Sequence, residues 1–242
     1  MKPEDLDKIA DGYHLNVDVP DKFIEDIAQW HFCSWLKKHF DKSKKCLELG
    51  YGEGITAKEL SSHFSDYTIV EGSEKLVELA KKECPRAKLD KGLFEEYAPK
   101  EKFDLILALH VLEHVDNSAE ILGQIRKWLN DDGLLVVLVP NRNSLHRQFA
   151  LGMGLISNLD ELSDRDLLVG HQRVYDLAGL KKDLVNEEFV VVDEAGFFLK
   201  ALPNSMMIEF NPKLIEQFNL ISDSISPELL ANICVVATMK KS

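Results

Sequence analysis

The sequence predicts an α/β fold in which a mostly parallel sheet of seven strands carries helices on both faces. From Lys45 onward, short apolar runs alternate with amphipathic segments of helical length, which is the pattern of right-handed β–α–β units. The run FDLILAL at residues 103–109 is continuously apolar, as is typical of a strand buried on both faces. A glycine-rich turn follows the first apolar run directly, so a ligand site is expected at the carboxyl ends of the strands.

The predicted elements follow one another in a regular order. Residues 1–18 are polar and are predicted to form a loop, and Pro20 and Asp21 start a helix that runs to about Phe40. The seven predicted strands are KCLELG, YTIVEG, RAKLDKG, FDLILAL, DGLLVVLVP, EFVVVDEAG and NICVVATMKK. The helices predicted between them are ITAKELSSHF, SEKLVELAKKE, AEILGQIRKWLND and DLAGLKKDLVNE.

The alternation breaks after Pro140, which indicates two insertions, at residues 141–175 and 200–230. We expect a single domain over residues 1–242, with an N-terminal lid and helix at 1–40 and a cofactor-binding core at 41–140. The insertions are expected on the substrate side, where their apolar residues would line a pocket, pack against one another or form a dimer contact. Those apolar residues include Leu151, Met153, Leu155, Phe198, Met206, Met207 and Phe210.

Composition narrows the classes of partner. The chain has 29 Lys plus Arg against 41 Asp plus Glu, and the net charge of −12 repels nucleic acid and anionic membranes. The four cysteines, scattered and without a C-x-x-C pair, fit reduced thiols. The opening MKPEDLDKIADGYH lacks the apolar core of a signal peptide, and no apolar run is long enough to span a bilayer. We therefore expect a cytoplasmic protein that binds a small molecule, with a homodimer left open.

The strongest motif is the turn Glu48-Leu-Gly50-Tyr51-Gly52-Glu-Gly54 between the first strand and its helix. Glycines let the backbone turn tightly and approach a ligand closely. Glu71 ends the second strand 21 residues after Gly50, the offset at which an acidic residue accepts hydrogen bonds from ribose hydroxyls. The turn and the acid together indicate an adenosine-type cofactor, although an ordinary tight turn with a surface Glu remains the simpler alternative.

The motifs resemble those of class I S-adenosylmethionine-dependent methyltransferases. CLELGYGEGITAKEL is similar to the family's first motif, and FDLILALHVLEHV with WLNDDGLLVVLVPN is similar to its fourth and fifth strands. The LEH element is shared with enzymes like the ubiquinone-biosynthesis O-methyltransferases. The resemblance covers residues 5–140 well and extends more loosely towards residue 197. It implies a Rossmann-like sheet of seven strands with an antiparallel last strand, and S-adenosylmethionine as the cofactor.

The resemblance also implies roles for individual residues. Glu48, Gly50, Tyr51 and Gly52 would surround the methionine and ribose portions of the cofactor, and Glu71 would hold the ribose hydroxyls. Three groups would lie near the adenine or the methionine end. They are Gly72 and Ser73 beside the adenine, Leu93 and Phe94 where many members have an acidic adenine contact, and His110 at the end of the fourth strand.

The histidines carry the competing chemistries. His110, Glu113 and His114 match the H-x-x-E-H pattern of inverted zinc metallopeptidases, but the match follows a buried strand and no third ligand stands out. No metal is therefore expected. His110 could contact the methionine end or take a proton from a substrate hydroxyl, or could merely cap the loop. His171, in GHQRVYD, is a second candidate for catalysis, with simple packing as its alternative.

These observations predict a methyltransferase that acts on a small molecule, with O-methylation favoured. Methyl transfer requires mainly alignment of the acceptor with the methyl carbon, and a hydroxyl acceptor also requires a base near neutral pKa, for which histidine is suited. N-methylation of a small amine is the nearest alternative. An NAD-dependent oxidoreductase would prefer G-x-G-x-x-G, and a degenerate binding protein would not need the intact turn and Glu71.

Overall fold

The molecule is built around one seven-stranded sheet in the order β3-β2-β1-β4-β5-β7-β6. The computed structural model describes residues 3–16 and 19–241. The strands are β1 Lys45–Leu49, β2 Asp66–Glu71, β3 Lys88–Lys91, β4 Phe103–Leu109, β5 Leu129–Pro140, β6 Phe189–Phe197 and β7 Asn232–Met239. Neighbouring strands from β3 to β5 pair in parallel, whereas β7 is antiparallel to both β5 and β6. The predicted Rossmann-like sheet and its antiparallel last strand are confirmed.

Helices cover both faces of the sheet, as the sequence predicts. The α-helices are α1 Pro3–Ile9, α2 Lys22–His39, α3 Ile55–Leu60, α4 Glu74–Glu83, α5 Ser118–Trp128, α6 Leu145–Gly152, α7 Asp164–Leu168, α8 Leu177–Asn186 and α9 Pro212–Leu220. Helices α5 and α8 pack on one face through residues such as Ile125 and Leu180. Helices α2, α3 and α4 pack on the other through residues such as Phe32, Leu60 and Ala80. The core is therefore two apolar layers with the sheet between them.

The central strands are buried because both faces are covered. Leu47 of β1 lies between Thr68 of β2 and Ile106 of β4 in the register of the sheet. Continuous apolar character in β1, β4 and β5 follows from this position, since neither face meets solvent. Strand β5 begins at Leu129, three residues before the predicted run, because Leu129 pairs with Phe103 of β4. Helix α5 ends at the preceding residue, Trp128.

The opening segment is helical, so the predicted loop at residues 1–18 is wrong for the part of it that the structure describes. Helix α1 is followed by a π-helical segment, Ala10–His14. Residues Leu6, Ile9 and Tyr13 recur at helical spacing and line the cavity described below. The polar residues between them hid this apolar face in the sequence. Residues 1, 2, 17 and 18 of the predicted loop lie outside the described residues.

The two insertions contain helices and a small apolar cluster of their own. Residues 141–175 include α6 and α7, and residues 200–230 include α9 with short 3₁₀ turns at Asn204–Met206, Ile221–Ser224 and Pro227–Leu229. Phe198, Met207 and Ile215 pack with Ile24 and Ala28 of α2, and Phe210 packs against this group. The second insertion is thereby fastened to the N-terminal helix. Over residues 3–16 and 19–241, no helix has the length and apolar character required to cross a bilayer.

Candidate functional site

A cavity of about 380 Å³ opens at the carboxyl edge of the sheet. Its walls come from the ends of β1, β2 and β4, from α1 and α2, and from the segment that follows β5. All ten residues that the sequence assigned to the cofactor line this cavity, namely Glu48, Gly50, Tyr51, Gly52, Glu71, Gly72, Ser73, Leu93, Phe94 and His110. His171 lines it as well. The carboxyl edge therefore collects residues that are far apart in sequence, as is general for open α/β sheets.

The turn after β1 depends on glycine at Gly54. Gly50, Gly52 and Gly54 all have positive φ angles, of 82°, 53° and 73°. A Cβ atom at Gly54 would lie 2.2 Å from the hydroxyl oxygen of Tyr51, whose ring folds back over the turn. The Tyr51 hydroxyl donates a hydrogen bond to Glu83 Oε2 at 2.9 Å. The tyrosine ring and the missing side chain at Gly54 thus fix the path of the backbone into α3.

Glu71 joins the ends of β1 and β2. Its Oε2 accepts a hydrogen bond from the backbone N–H of Tyr51 at 2.8 Å, and its Oε1 accepts one from the N–H of Ser73 at 2.7 Å. Burial raises the pKa of this carboxyl above its usual value, and the two N–H donors act in the opposite direction. Each carboxylate oxygen has a further lone pair available for a ligand.

A close approach at Gly72 brings α1 onto the end of β2. A Cβ atom at Gly72 would lie 2.5 Å from Leu6 Cδ1 and 3.1 Å from Leu93 Cδ2. The Ser73 hydroxyl donates to Asp7 Oδ1 at 2.5 Å, and Lys75 pairs with Asp11. The opening helix is therefore fastened over the part of the cavity that Leu93 borders.

Glu48 is a buried carboxyl inside the first strand. Only 3% of it is exposed, and the Tyr67 hydroxyl donates to its Oε2 at 2.8 Å. Burial raises the pKa of Glu48 to about 8, against the opposing effect of that hydrogen bond. Glu48 reaches the cavity beside Leu49 and Gly50.

His110 stands in a strained turn at the end of β4. Its φ of 55° is in the left-handed region, which is rare for a residue with a side chain. The backbone N–H donates to the carbonyl of Leu138 at 2.8 Å, and ring atom Nδ1 lies 3.0 Å from Glu113 Oε1. Glu113 is fully buried. The strand end and a buried carboxylate together direct this imidazole towards the cavity.

His171 is supported by a carboxylate that sequence reasoning missed. Its Nδ1 lies 2.9 Å from Asp166 Oδ1, and Asp166 also accepts hydrogen bonds from the N–H and hydroxyl of Ser163 at 2.8 and 2.7 Å. These partners hold the pKa of Asp166 well below its usual range despite its burial. The Ser163-x-x-Asp166 spacing is the one signal in the sequence, since it is typical of a helix start.

The rings of His114 and His171 meet edge to face at the cavity wall, with centroids 4.7 Å apart. Burial lowers the pKa of His114 to about 4, so this imidazole is neutral at pH 7. Ligand atoms of Glu113, His114 and His171 all lie within 4.8 Å of one another. A metal ion could be held by such a group. The third ligand that the sequence did not reveal is His171.

The apolar residues assigned to a substrate pocket in the insertions lie elsewhere. Among the described residues, the cavity walls include none of Leu151, Met153, Leu155, Phe198, Met206, Met207 and Phe210. Four of these are exposed, and the other three belong to or pack against the cluster on α2. The insertions reach the cavity through other side chains, most of them polar. These are Asn141, His146, Arg147, Asp166 and Val169 from the first insertion and Lys200 from the second.

The fold and the glycine turn over this cavity define a protein of the S-adenosylmethionine-dependent methyltransferase class, as the sequence motifs predicted. The chain belongs to the methyltransferase domain family, whose model matches residues 21–194. The matched range includes the glycine turn, Glu71 and the two residues predicted as candidates for catalysis, His110 and His171. It also confirms the expected cofactor class.

Curated relatives match part of the chain. A ubiquinone biosynthesis O-methyltransferase from Bradyrhizobium diazoefficiens is 31% identical over 113 residues, which are 45% of this chain and 44% of the relative. A malonyl-[acyl-carrier protein] O-methyltransferase from Halalkalibacterium halodurans is 28% identical over 160 residues, 61% of this chain and 59% of that protein. The chain thus spans less than two thirds of the length of the relatives it matches.

Solved structures share the fold over nearly the whole chain. A possible histamine N-methyltransferase from Thermotoga maritima has a TM-score of 0.65 at 17% identity, covering 96% of this chain and 100% of that one. The N-methyltransferase NodS from Bradyrhizobium japonicum, in complex with S-adenosylhomocysteine, has a TM-score of 0.60 at 13% identity, covering 99% and 98%. At these identities the likeness concerns the fold.

Proposed function

We propose that this chain transfers the methyl group of S-adenosylmethionine to a small molecule and that the acceptor atom is an oxygen. One observation carries the proposal: the glycine turn with Glu71 and a wall of histidines open onto the same cavity. When bound, the sulfonium of the cofactor supplies the methyl group. The two curated relatives that match part of the chain are named as O-methyltransferases, and this supports oxygen as the acceptor atom.

The residues present fit the cofactor. The glycines after β1 leave space in front of the strand: a Cβ atom on Gly50 would make only an ordinary contact with Phe94, at 3.9 Å, and one on Gly52 only a contact with His14, at 4.0 Å. We assign Glu48, Tyr51 and Gly52 with Gly50 to the methionine and ribose portions. Glu71 would accept the ribose hydroxyls, because its carboxylate is held in place by two backbone amides and borders the cavity.

The adenine would lie between the ends of β2 and β3. We assign Gly72, Ser73, Leu93 and Phe94 to this portion, since all four line the cavity there. Leu93 stands where many members of the class have an acid, so the contact would be apolar at its side chain. Backbone N–H groups of Leu93 and Phe94 would then serve the polar edge of the ring.

The acceptor would lie between His110 and His171. Both side chains are oriented by a carboxylate, Glu113 and Asp166 respectively, so their second ring nitrogens are presented to the cavity. Such residues can hold an acceptor hydroxyl in line with the methyl carbon and receive its proton.

A small amine is the second candidate acceptor. Carboxylates of Glu25, Asp26 and Glu53 line the cavity and would attract an ammonium group. Two structural neighbours are named for transfer to nitrogen, one as a possible histamine N-methyltransferase and the other as an N-methyltransferase.

Calorimetry and a panel of acceptors test the proposal together. The purified chain should bind S-adenosylhomocysteine and should not bind NAD. Matched acceptors that differ only in a hydroxyl or an amine, incubated with S-adenosylmethionine and followed by mass spectrometry, separate O-methylation from N-methylation. Binding of NAD in place of S-adenosylhomocysteine would contradict the assignment. A chain that binds S-adenosylhomocysteine and methylates neither acceptor class would favour the non-catalytic alternative.

A further inference from the structure

Three donor side chains meet on the acceptor side of the cavity. Glu113 and His114 follow β4, and His171 lies in the first insertion, 57 residues further along the chain than His114. One ligand atom from each lies within 4.8 Å of the other two. His114 and His171 line the cavity, whereas Glu113 stands behind them. The group therefore borders the space assigned to the methyl acceptor.

The two oxygens of the Glu113 carboxylate differ in their contacts. Glu113 is 0% exposed, and Oε1 lies 3.0 Å from His110 Nδ1. Its Oε2 is buried and has no hydrogen-bond partner among residues 3–16 and 19–241. An unsatisfied oxygen on a buried carboxylate is costly, by about 1–3 kcal/mol or more. A cation at this oxygen would remove that cost.

His171 is oriented in the way that metal-binding histidines are. Its Nδ1 is engaged by Asp166 at 2.9 Å, so Nε2 remains as the ligand atom. Asp166 is itself fixed by Ser163 and by Arg147 Nη1 at 3.3 Å. A carboxylate behind a histidine sets the tautomer and raises the basicity of the ligating nitrogen.

We propose that Glu113, His114 and His171 bind one divalent transition-metal ion, with Asp166 as the outer support of His171. Two imidazole nitrogens and one carboxylate oxygen suit zinc and its neighbours, whereas magnesium prefers six oxygens. Zinc lies about 2.0–2.1 Å from each of its ligand atoms, which places those atoms closer to one another than 4.8 Å. The three side chains would therefore move slightly inward when the ion binds. A fourth coordination position would face the cavity.

The ion would have a defined role in methyl transfer, and that role rests on the proposed function. An ion on the cavity wall would polarise and orient an acceptor oxygen. Since His171 Nε2 would then ligate the ion, the acceptor proton would pass to His110 rather than to His171. Three protein ligands with an open position are the arrangement of catalytic rather than structural zinc. The site does not support the metallopeptidase interpretation of the H-x-x-E-H pattern. In that interpretation His110 is a metal ligand, whereas here His110 contacts Glu113 and is not one of the three ligands.

Metal binding is measured on the full chain, purified without an affinity tag and stripped with chelator. Titration calorimetry with zinc chloride should give one site per chain, and substitution with cobalt should give the visible absorption bands of a four-coordinate ion. His171→Ala and His114→Ala should each weaken zinc binding by 100-fold or more. Asp166→Asn should weaken it by about 10–100-fold.

His146→Ala is the matched control, since His146 lines the same cavity outside the group. It should leave zinc affinity unchanged. The site is overturned if zinc fails to bind, binds equally well to the His171 and His114 variants, or is displaced by millimolar magnesium. Circular dichroism tests whether each variant is folded. Because His171 lies on a loop, its substitution should disturb the fold less than the substitution of His114.

Binding of S-adenosylhomocysteine by the stripped chain separates the two proposals. If the stripped chain binds S-adenosylhomocysteine and no zinc, the metal site fails and the methyltransferase proposal stands. If it binds zinc and no S-adenosylhomocysteine, the metal site stands and the proposed function fails.

Discussion

The two ends of the cavity are built in different ways. At the cofactor end, the ligand surface consists largely of backbone, which is shaped by glycines at positive φ and tied together by Glu71. At the acceptor end, it consists of side chains: Glu113 orients His110, Asp166 orients His171, and the ring of His114 packs against that of His171. The first end is formed by three consecutive strands, β1 to β3, and the turns that follow them, whereas the second unites segments about 60 residues apart.

This difference explains what each end can vary. A backbone cradle recognises one cofactor whatever the side chains around it, so a family can keep it while its substrates change. A surface of side chains on inserted segments can be altered residue by residue without disturbing the sheet. We therefore expect the cofactor end to be sensitive to changes in its backbone and the acceptor end to be sensitive to changes in its side chains.

The largest effect is expected at Gly54. Gly54→Ala places a Cβ atom 2.2 Å from the Tyr51 hydroxyl on a residue with φ of 73°, so both a clash and backbone strain are introduced. We expect the free energy of unfolding to fall by about 2–4 kcal/mol. Urea denaturation followed by circular dichroism measures it. Gly152→Ala is the control and should change little, because φ there is negative and no atom of the part of the chain that the structure describes would lie within 4 Å of the added Cβ outside its own helix and chain neighbours. Equal losses in both variants would show that the turn is not special.

Much of the cofactor end could be predicted from sequence because its signals are local. The strands are continuous apolar runs, and Glu71 follows Gly50 at a fixed offset. The first helix was missed because polar residues separate Leu6, Ile9 and Tyr13, and only the site below them reveals their common face.

The acceptor end could be predicted only in part because its pairs are distant in sequence. His171 was found as a candidate, but its contact with His114 depends on how residues 141–175 fold back over the sheet. Apolar character alone did not distinguish Met207, which is buried in a separate cluster, from Met153, which is exposed.

The next largest effect is on cofactor affinity at Glu71. Glu71→Ala removes the carboxylate that joins Tyr51 and Ser73 and that is assigned to the ribose. We expect S-adenosylhomocysteine binding to weaken by about 1–3 kcal/mol, or roughly 5–150-fold, in calorimetry. Glu78→Ala, at an exposed position of α4, is the control. Unchanged affinity in the Glu71 variant would remove this residue from the cofactor site.

A smaller effect concerns pH and Glu48. Its pKa is raised by burial to about 8 in the folded chain, against an ordinary value near 4.5. The folded state therefore holds this proton more tightly than the unfolded state, so the contribution of Glu48 to stability is present below about pH 4.5 and is lost as pH rises to about 8. Glu48→Gln lacks this loss.

The difference between wild type and Glu48→Gln measures the effect without interference from other groups. Between about pH 6.5 and pH 8, the wild type should lose about 1–2 kcal/mol of unfolding free energy relative to the variant. Urea unfolding at several pH values gives both curves. Glu96→Gln, at an exposed position, should follow the wild type at every pH. Parallel curves for wild type and Glu48→Gln would mean that Glu48 titrates normally.

The smallest effect separates two kinds of apolar residue within the first insertion. Val169 is only 8% exposed and lines the cavity, whereas Met153 is 55% exposed and lies outside it. Val169→Ala should raise the acceptor KM a few-fold, because the loss of two methyl groups from a contact surface is worth about 1 kcal/mol. Met153→Ser should leave the KM unchanged and should shift stability by no more than about 0.5 kcal/mol. Both variants should bind S-adenosylhomocysteine as the wild type does, since the cofactor end is made of other residues. A larger change in acceptor KM for Met153→Ser than for Val169→Ala would place the acceptor on the outer face of this segment and would separate it from the histidines.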